Sequence, residues 1–271
     1  SFSQNSGFKM FYGGCNEFVI NSVNAKKKIT FVHCDFRHYF GNNRYNRAYY
    51  RHFDKIACVS DSCRDIFCEV CAGLSEKTFS VHNCFDFKGM ENQAKEYKAD
   101  YTDSAVNILT AARISEEKGI FRMLPILSEL KKQGFDFVWR IAGDGPLMER
   151  AKAECKNEGL CDNVIFLGML KNPYPYFLVS DLLLVPSYDE AGPMVFTEAQ
   201  FFKLPILTTN TTSAIELVKN TGAGIVCENN DEDIKKTLLN ILKNPQMFLQ
   251  KKDSCTIDNK KALGEFANLI M

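Results

Sequence analysis

Two carboxylates flank a Gly-Pro turn late in the chain. Glu190 and Glu198 stand eight positions apart, on either side of Gly192 and Pro193. Residues 181–186 (Asp-Leu-Leu-Leu-Val-Pro) have the apolar run of a buried parallel strand, and the apolar residues after Pro193 recur at helical spacing. The pattern predicts Glu190 in a strand-to-helix loop and Glu198 one turn into the helix. Two glutamates at this spacing also arise by chance, so the interpretation depends on their context.

The predicted helix start suits an anion. Pro193 fits the first helical turn, where a missing N–H group costs nothing, and the amides of Met194 and Val195 lack partners within the helix. Unpaired N–H groups and the helix dipole both favour negative charge at the carboxyl end of a strand.

A pair of cations stands at a matching place earlier. Arg113 and Lys118 lie between the strand-like residues 106–112 and the helical apolar pattern of residues 119–132. Two fixed cations at the mouth of a parallel sheet can neutralise a nucleotide diphosphate and stabilise the charge that builds on it as a leaving group. For either side chain taken alone, a solvated surface position is the alternative.

Several motifs resemble, in order and spacing, the donor domain of the retaining group 1 (family four) glycosyltransferases. They are Arg113 with Lys118-Gly119, residues 142–146 (Ala-Gly-Asp-Gly-Pro), residues 166–168 (Phe-Leu-Gly), residues 186–190 (Pro-Ser-Tyr-Asp-Glu), and Glu198 with Ala199. The resemblance covers residues 105–228. The combination is specific, although a single piece such as Gly-Asp-Gly is not.

The resemblance implies a role for each charged residue. Arg113 and Lys118 would hold the donor diphosphate, and Glu190 would face the transferred sugar. Glu198 would accept hydrogen bonds from the ribose hydroxyl groups, a task that suits a carboxylate because it is a bidentate acceptor for a diol. The further predicted contacts to the nucleotide sugar are Gly143, Gly145, Met169, Gly192, Pro193, Met194 and Val195.

His33 is a further candidate catalytic residue. It ends the strand-like residues 28–33, where the family commonly has a histidine that faces the transferred sugar. A structural histidine with satisfied hydrogen bonds fits the position equally well. Because Arg113 and Lys118 meet the donor charge, we expect neither a metal ion nor another cofactor. The acidic run at residues 231–233 precedes a helical pattern and is interpreted as an N-terminal cap.

Composition limits the class of protein. The 271 residues carry 33 basic and 33 acidic side chains and are 45% apolar, which suits one or two domain cores and differs from a disordered or nucleic-acid-binding chain. No apolar run reaches the roughly 18 residues of a membrane span, and no leader peptide is recognisable. We expect a soluble, cytoplasmic protein. Its first residue, Ser, suits a fragment or a processed chain.

The cysteines read as reduced thiols. There are eleven, scattered without a disulfide framework. Cys58, Cys63, Cys68 and Cys71 are close enough in sequence to suggest a zinc cluster. Three of them fall on a predicted amphipathic helix, however, and a second paired knuckle is missing. We therefore do not predict a metal site there.

Alternating strand and helix patterns indicate a parallel sheet covered on both faces. Strands are predicted near residues 106–112, 136–142, 163–167, 181–186, 205–209 and 223–227, and earlier at 28–33, 55–60 and 78–82, with a helix at 61–71. The predicted fold is α/β of the GT-B type, with two Rossmann-like domains facing a cleft and the N-terminal one incomplete. The boundaries are 1–87 (acceptor side), 88–104 (polar linker), 105–256 (donor domain) and 257–271 (a C-terminal helix returning to the first domain).

Residues 26–55 form a basic segment with interleaved aromatic residues, having eight cations against two anions. Such a surface suits anionic headgroups or a membrane-bound lipid-diphosphate acceptor, each nearby cation contributing on the order of 1 kcal/mol. The alternatives for this segment are a nucleic-acid-binding surface and a merely solvated surface. We predict peripheral contact with the inner face of the membrane and no nucleic-acid partner.

The expected function is that of a retaining transferase. It would move a hexose-type sugar from a nucleoside-diphosphate sugar to a glycan or lipid-linked acceptor, in cell-surface polysaccharide synthesis. The main rival is a non-catalytic nucleotide-sugar-binding or scaffold protein, and an epimerase of the same architecture is another. A dinucleotide-dependent oxidoreductase is disfavoured because Gly143 and Gly145 follow the second strand and Met148 replaces the third glycine.

Overall fold

The computed structural model describes residues 15–37, 44–102, 104–248 and 257–271. The chain divides into two compact units. The first comprises the described parts of Ser1–Phe85, Glu190–Pro193 and Asp258–Met271, and the second those of Asp86–Asp189 and Met194–Ile257. Each unit contains one parallel β-sheet, so the predicted α/β class with two parallel sheets is confirmed.

The first unit is built on a three-stranded sheet in the order β1-β2-β3. Its strands are β1 (Ile29–Val32), β2 (Lys55–Cys58) and β3 (Thr78–Ser80), each within two residues of its predicted bounds. The helices are α1 (Cys15–Ser22), α2 (Arg44–Tyr50), α3 (Asp61–Val70) and a 3₁₀ helix at Ala72–Lys77. Ser60 starts α3, because its hydroxyl accepts a hydrogen bond from the amide of Cys63 at 3.1 Å.

An aromatic cluster forms the core of this unit. Phe36, Tyr50 and Phe67 meet edge to face, with ring centroids 4.9 to 5.5 Å apart. Such pairs add stability beyond the area that they bury. Cys58 and Cys63 pack beside them and are fully enclosed.

The second unit is built on a six-stranded sheet in the order β6-β5-β4-β7-β8-β9. Its strands are β4 (Val106–Ala111), β5 (Phe137–Ala142), β6 (Val164–Gly168), β7 (Leu182–Val185), β8 (Ile206–Thr209) and β9 (Gly224–Cys227). Each lies within one residue of its predicted bounds. Every residue of β5, β7 and β8 is buried, and β7 is a continuous apolar run, whereas β5 also buries Arg140 and β8 ends in Thr208 and Thr209.

Helices cover both faces of the second sheet. They are α4 (Phe87–Gln93), α5 (Ile120–Lys132), α6 (Met148–Asn157), α7 (Tyr174–Val179), α8 (Met194–Phe201), α9 (Asp231–Lys243) and α10 (Pro245–Phe248), with a 3₁₀ turn at Glu116–Lys118 and a π-helical turn at Ile215–Lys219. The predicted linker, residues 88–104, includes most of α4. It also packs on this unit, since the hydroxyl of Tyr97 donates to the carbonyl oxygen of Asn172 at 2.7 Å.

A last helix, α11 (Lys260–Ile270), belongs to the first unit. Its cap residue Asn259 exchanges two hydrogen bonds with the backbone of Phe85, at 3.0 and 2.7 Å. One turn further on, Glu265 pairs with the ring of His82 at 2.9 Å. Leu269 is buried against the sheet.

Lys28 and Lys55 of the basic segment bind helices of the first unit, and so does Lys77, which lies outside the segment. Lys28, Lys55 and Lys77 stand at the amino ends of the three strands, and their ammonium groups donate to the last carbonyl oxygens of neighbouring helices or to the residues just after them. The acceptors are Ile20 at 2.9 Å, Asn268 at 2.9 Å, and Arg51 and Phe53 at 2.7 and 2.6 Å. Cations at helix carboxyl ends complement the dipole. Residues 38–43 of the segment lie outside the described residues.

None of the helices in the described ranges has both the length and the apolar character that crossing a bilayer requires.

Candidate functional site

Strands β4 and β7 form the point where the order of the second sheet reverses. They are neighbours, yet β4 leads toward β5 on one side and β7 toward β8 on the other. Ligands of open α/β sheets bind outside the carboxyl ends of the strands at such a point. The β4–β7 ladder ends at Leu109 and Leu183, and beyond it the hydroxyl of Thr110 donates to the carbonyl oxygen of Leu184 at 2.6 Å. The loops after these two strands carry the charged residues that the sequence singles out.

The loop after β4 holds both predicted cations. Arg113 is exposed and Lys118 is half-buried. The pKa of Glu117 is sensitive to both charges. Burial raises this pKa, but the hydrogen bonds from Ser115 and from the backbone N–H of Glu117 lower it, and so do the charges of Lys118 and Arg113. The overall result is a pKa below the ordinary value. Among the described residues, no carboxylate forms an ion pair with Arg113.

Gly119 lets this loop touch the loop after β7. Its φ is 68°, and an added Cβ would stand 2.0 Å from the carbonyl oxygen of Pro186. The amide of Tyr188 donates to the carbonyl oxygen of Glu117 at 2.8 Å. The two loops are therefore joined through their backbones, with no room for a side chain at Gly119.

Arg122 fastens the same two loops to the start of α9. Its guanidinium donates to Asp231 at 2.7 Å and to Asn229 at 2.7 Å, and it lies over the ring of Tyr188 with 4.2 Å to the centroid. Asp231 thus pairs with Arg122. The cap of α9 is Asn230, not the acidic run as predicted, because the side chain of Asn230 accepts the bond from the amide of Asp233 at 2.9 Å.

The predicted glycines after β5 bring two backbones together. An added Cβ at Gly143 would stand 1.8 Å from the carbonyl oxygen of Ala112, and one at Gly145 would stand 2.2 Å from that of Ile114. The amide of Ile114 donates to the carbonyl oxygen of Asp144 at 3.0 Å. The Gly-Asp-Gly sequence therefore extends the contact between the β4 and β5 segments beyond the sheet.

These loops enclose a groove of about 710 Å³. That volume is within the range of small-molecule sites. Its lining consists of Ala111, Ala112, Arg113, Ala142, Gly143, Asp144, Gly145, Pro146, Met169, Leu170 and Pro173. The structure thus brings together four predicted contact residues, namely Arg113, Gly143, Gly145 and Met169. Lys118, Met194, Val195 and Glu198 belong to the same unit but lie outside this lining.

Glu198 has a partner that the sequence did not indicate. It lies on α8, which begins at Met194, one residue after Pro193. The hydroxyl of Tyr174 donates to Glu198 Oε1 at 3.3 Å. Burial raises the pKa of Glu198, and the bond from Tyr174 partly offsets this rise.

The remaining predicted residues, Glu190, Gly192, Pro193 and His33, belong to the first unit. Ala191 anchors their segment: it is buried in the aromatic core, and its carbonyl oxygen accepts a bond from Ser60 Oγ at 3.0 Å. An added Cβ at Gly192 would stand 2.7 Å from Val59 Cγ2. Glu190 lies in the strand-to-helix loop between β7 and α8, as predicted, but residues 190–193 of that loop belong to the first unit, where Ala191 and Gly192 contact the residues that follow β2.

His33 follows β1 directly. Its ring stacks on Phe31 with 5.9 Å between centroids. The side chain keeps an exposed surface, yet burial of part of the ring lowers its pKa and favours the neutral imidazole.

The suspected zinc cluster is a set of thiols with other contacts. Every cysteine in the described ranges is a free thiol. Cys63 Sγ lies 3.4 Å from the carbonyl oxygen of Cys34, and its hydrogen bond to Cys58, with burial, raises the pKa of Cys58.

The profile of the group 1 glycosyl transferases matches residues 93–261, more than half of the chain. The chain belongs to the group 1 glycosyl transferases. An uncharacterized glycosyltransferase of Haemophilus influenzae is 31% identical over 54% of this chain and 42% of its own length. An uncharacterized 41.2 kDa protein in the cps region of Klebsiella pneumoniae is 25% identical over 93% of this chain and 69% of its own length. The chain therefore spans less than half of the first relative.

A similar solved structure supports the fold of this group 1 glycosyl transferase. HepE of Anabaena, crystallised in complex with UDP and glucose, matches 89% of this chain and 70% of its own, with a TM-score of 0.74 and 17% identity. At this identity the likeness concerns the fold, and the predicted GT-B type is confirmed.

Proposed function

We propose that this chain binds a nucleoside-diphosphate sugar and, as part of a retaining glycosyltransferase, transfers a hexose-type sugar from it to a glycan or lipid-linked acceptor. The observation that carries the proposal is the groove beside β4, at the point where the strand order of the second sheet reverses. It is lined by Arg113 and by the two glycines of the Gly-Asp-Gly turn. A diphosphate needs a cation and a closely approaching backbone, and Arg113 with Gly143 and Gly145 is proposed to supply them.

Arg113 and Lys118 take the diphosphate in this proposal. Both cations lie near enough to Glu117 to lower its pKa. The loop after β4 also carries Glu116 and Glu117, so the support comes from the position of the two cations and not from a net positive charge of the loop. Charge that develops on the leaving diphosphate is stabilised there without a metal ion. A titration with and without a chelator tests the last point, because metal-independent binding keeps the same dissociation constant.

Glu198 takes the ribose in this proposal. A carboxylate accepts hydrogen bonds from two neighbouring hydroxyl groups, and Glu198 is half-buried on the helix that follows β7. Glu190 and His33 are proposed to contact the transferred sugar, a role that we take from the family resemblance and test by kinetics.

Retention of configuration is part of the proposal. The acceptor hydroxyl forms its bond to the anomeric carbon on the face from which the diphosphate leaves, while the bond from that carbon to the phosphate oxygen breaks. The departing phosphate receives the proton of the acceptor. Such a reaction needs positioned charge more than a strong nucleophile, and cations and carboxylates supply it.

The product is proposed to be a cell-surface polysaccharide. Support comes from the relative in the cps region of Klebsiella pneumoniae. Peripheral contact with an anionic membrane surface is proposed for residues 26–55, although Lys28 and Lys55 already bind helix carboxyl ends. Vesicle sedimentation with and without anionic lipid measures that contact.

A donor titration tests the proposed function. The full chain is titrated with uridine, guanosine and adenosine diphosphate sugars. UDP-sugars come first, because UDP is bound in the similar structure of HepE. At least one is expected to bind, and Glu198→Ala should weaken it about tenfold to a hundredfold, the loss expected for hydrogen bonds to a charged group. Failure of every sugar nucleotide to bind would contradict the proposal.

Release of free nucleoside diphosphate separates a transferase from a binding protein. A transferase releases it faster when an acceptor is added, and Glu190→Ala or His33→Ala then lowers kcat more than it raises KM. Tight binding without release in the presence of acceptors would instead identify a non-catalytic nucleotide-sugar-binding protein.

A further inference from the structure

The hydroxyl of Tyr174 and the carboxylate of Glu198 connect two helices of the second unit. Tyr174 is the first residue of α7, after β6, and Glu198 lies on α8, after β7. The hydroxyl donates to Glu198 Oε1 at 3.3 Å, and both side chains are half-buried. The two residues are 24 positions apart, so the hydrogen bond joins two different helices.

Apolar packing fixes the direction of the Tyr174 ring. Its centroid lies 5.6 Å from that of Phe202 and 6.0 Å from that of Phe177. The amide of Phe202 donates to the carbonyl oxygen of Glu198 at 3.2 Å, so these two residues occupy the same face of one helical turn. Tyr174 therefore contacts that face twice, with its ring against Phe202 and its hydroxyl against Glu198.

The segment that carries Tyr174 also forms one wall of the groove. Met169, Leu170 and Pro173 line it, and Pro173 immediately precedes Tyr174. A nucleotide that fills the groove would thus contact a segment that is tied to the predicted ribose-binding carboxylate.

We propose that Tyr174 is a positioning residue for ribose recognition: its hydroxyl engages Oε1 of Glu198 and directs Oε2 toward the hydroxyl groups of the donor ribose. This inference rests on the proposed function, which assigns the ribose to Glu198. No role follows from the family resemblance for Tyr174, whose importance comes from the geometry alone.

Electrostatics keeps the pair in the form that this arrangement needs. Burial, the charge of Glu198 and the hydrogen bond to it raise the pKa of Tyr174 to about 12, with a smaller contribution from Asp86, so the hydroxyl donates at neutral pH. In the opposite direction, the bond from Tyr174 lowers the pKa of Glu198, which burial has raised. Among the described residues, the further titratable group whose charge acts on this pair is Asp86.

Removal of the hydroxyl should therefore raise the pKa of Glu198. In Tyr174→Phe the lowering contribution is lost, so Glu198 takes up its proton at a higher pH than in the wild type. A protonated carboxyl has lost its charge as an acceptor for the ribose diol. Nucleotide affinity should thus begin to fall at a higher pH as the solution is acidified, while the affinity of the wild type is still at its plateau.

The test compares ribose and 2′-deoxyribose nucleotides. Binding of UDP, GDP and ADP and of their 2′-deoxy counterparts is measured by calorimetry from pH 5 to 8. For the nucleotide that binds, Tyr174→Phe should weaken the ribose form about tenfold and the deoxy form much less, so that the preference for ribose shrinks. The matched control is Tyr176→Phe, the same change on the same helix at a ring that contacts Tyr97, and it should match the wild type.

A double-mutant cycle separates positioning from mere packing. In a Glu198→Ala background, Tyr174→Phe should have no further effect on nucleotide affinity, whereas a packing defect would add to the loss. Additive losses would overturn the inference, as would a wild-type ribose preference and pH profile in Tyr174→Phe. If the wild type binds none of the nucleotides, the proposed function fails instead.

Discussion

The two edges of the six-stranded sheet use polar side chains differently. At the amino edge, Arg140 and Asn107 are buried, and the guanidinium donates to Asn107 Oδ1 at 2.7 Å. Asn107 also bonds to Asp181 and to the backbone of Thr102. At the carboxyl edge, Arg113 is exposed and lines a groove. Arg140 is thus paired internally at the amino edge, whereas Arg113 at the carboxyl edge is exposed in the lining of a groove.

The difference follows from the chain path. At the amino edge the polar groups come from the strands and their immediate starts, where the ladder fixes them close enough to satisfy one another. At the carboxyl edge the polar groups come from loops, and these loops run in opposite directions from β4 and β7, where the strand order reverses. A mutation at the amino edge should therefore change stability, and one at the carboxyl edge should change binding.

The largest expected effect is on binding. Arg113→Ala combined with Lys118→Ala removes two charge-assisted contacts to the diphosphate, so the affinity for UDP should fall by about a hundredfold or more. The midpoint of thermal unfolding should stay close to that of the wild type, because Arg113 is exposed. Isothermal titration and a thermal melt measure the two quantities.

The matched control removes two cations from the same unit. Lys152→Ala combined with Lys156→Ala changes the net charge equally at exposed positions of α6, and neither residue lines the groove. UDP affinity should be unchanged apart from a small effect that salt screens. If both double variants lost affinity alike, the effect would be one of net charge, and the assignment of the diphosphate to Arg113 and Lys118 would be wrong.

The amino edge should show the reverse behaviour. Asn107→Ala leaves the buried guanidinium of Arg140 without its nearest acceptor, which should lower the free energy of unfolding by about 3 kcal/mol. UDP affinity of the folded protein should be retained. Urea denaturation measures the free energy of unfolding, and titration with UDP measures the affinity.

Arg140→Met sharpens this expectation, because it removes the buried charge itself. Asn107 Oδ1 then still accepts from the amide of Thr102 at 2.9 Å, so the loss should be smaller, under about 1.5 kcal/mol. Equal losses in the two variants would mean that the amino edge is held by packing rather than by these hydrogen bonds.

The sequence predicts the parts of this comparison that are local. The strands are short segments rich in apolar residues that alternate with helical patterns, which is why all six strands of the second sheet are predicted to within one residue. The start of α8 followed from Pro193 and helical spacing. The position of Arg113 in a strand-to-helix turn singles it out as a candidate, and Arg113 does line the groove; its contact with a diphosphate stays a prediction.

Contacts between segments that are distant in the sequence could not be predicted from local patterns. Tyr174 meets Glu198 across 24 positions, and Arg122 meets Asp231 across 109. The choice of Asn230 over the acidic run as the cap of α9 depended on backbone angles. Residues 190–193 join the first unit because Ala191 is buried in a core made of residues far earlier in the chain, a preference that no local pattern records.

The smallest expected loss of UDP affinity accompanies a loss of stability at the carboxyl edge. Gly145 has ordinary backbone angles, so its requirement is for space: an added Cβ would stand 2.2 Å from the carbonyl oxygen of Ile114. In Gly145→Ala the two backbones must separate, which should cost about 2 kcal/mol of stability. The groove that they line should also widen, and UDP affinity should fall several-fold. Calorimetric melting and titration report the two effects.

Gly73→Ala is the control, because an added Cβ there meets no atom within 4 Å. Its stability should be unchanged or slightly higher, since alanine restricts the unfolded chain, and UDP affinity should equal that of the wild type. If Gly145→Ala lost stability without losing affinity, the turn after β5 would serve folding alone. The carboxyl edge would then differ from the amino edge only in the loop that carries Arg113.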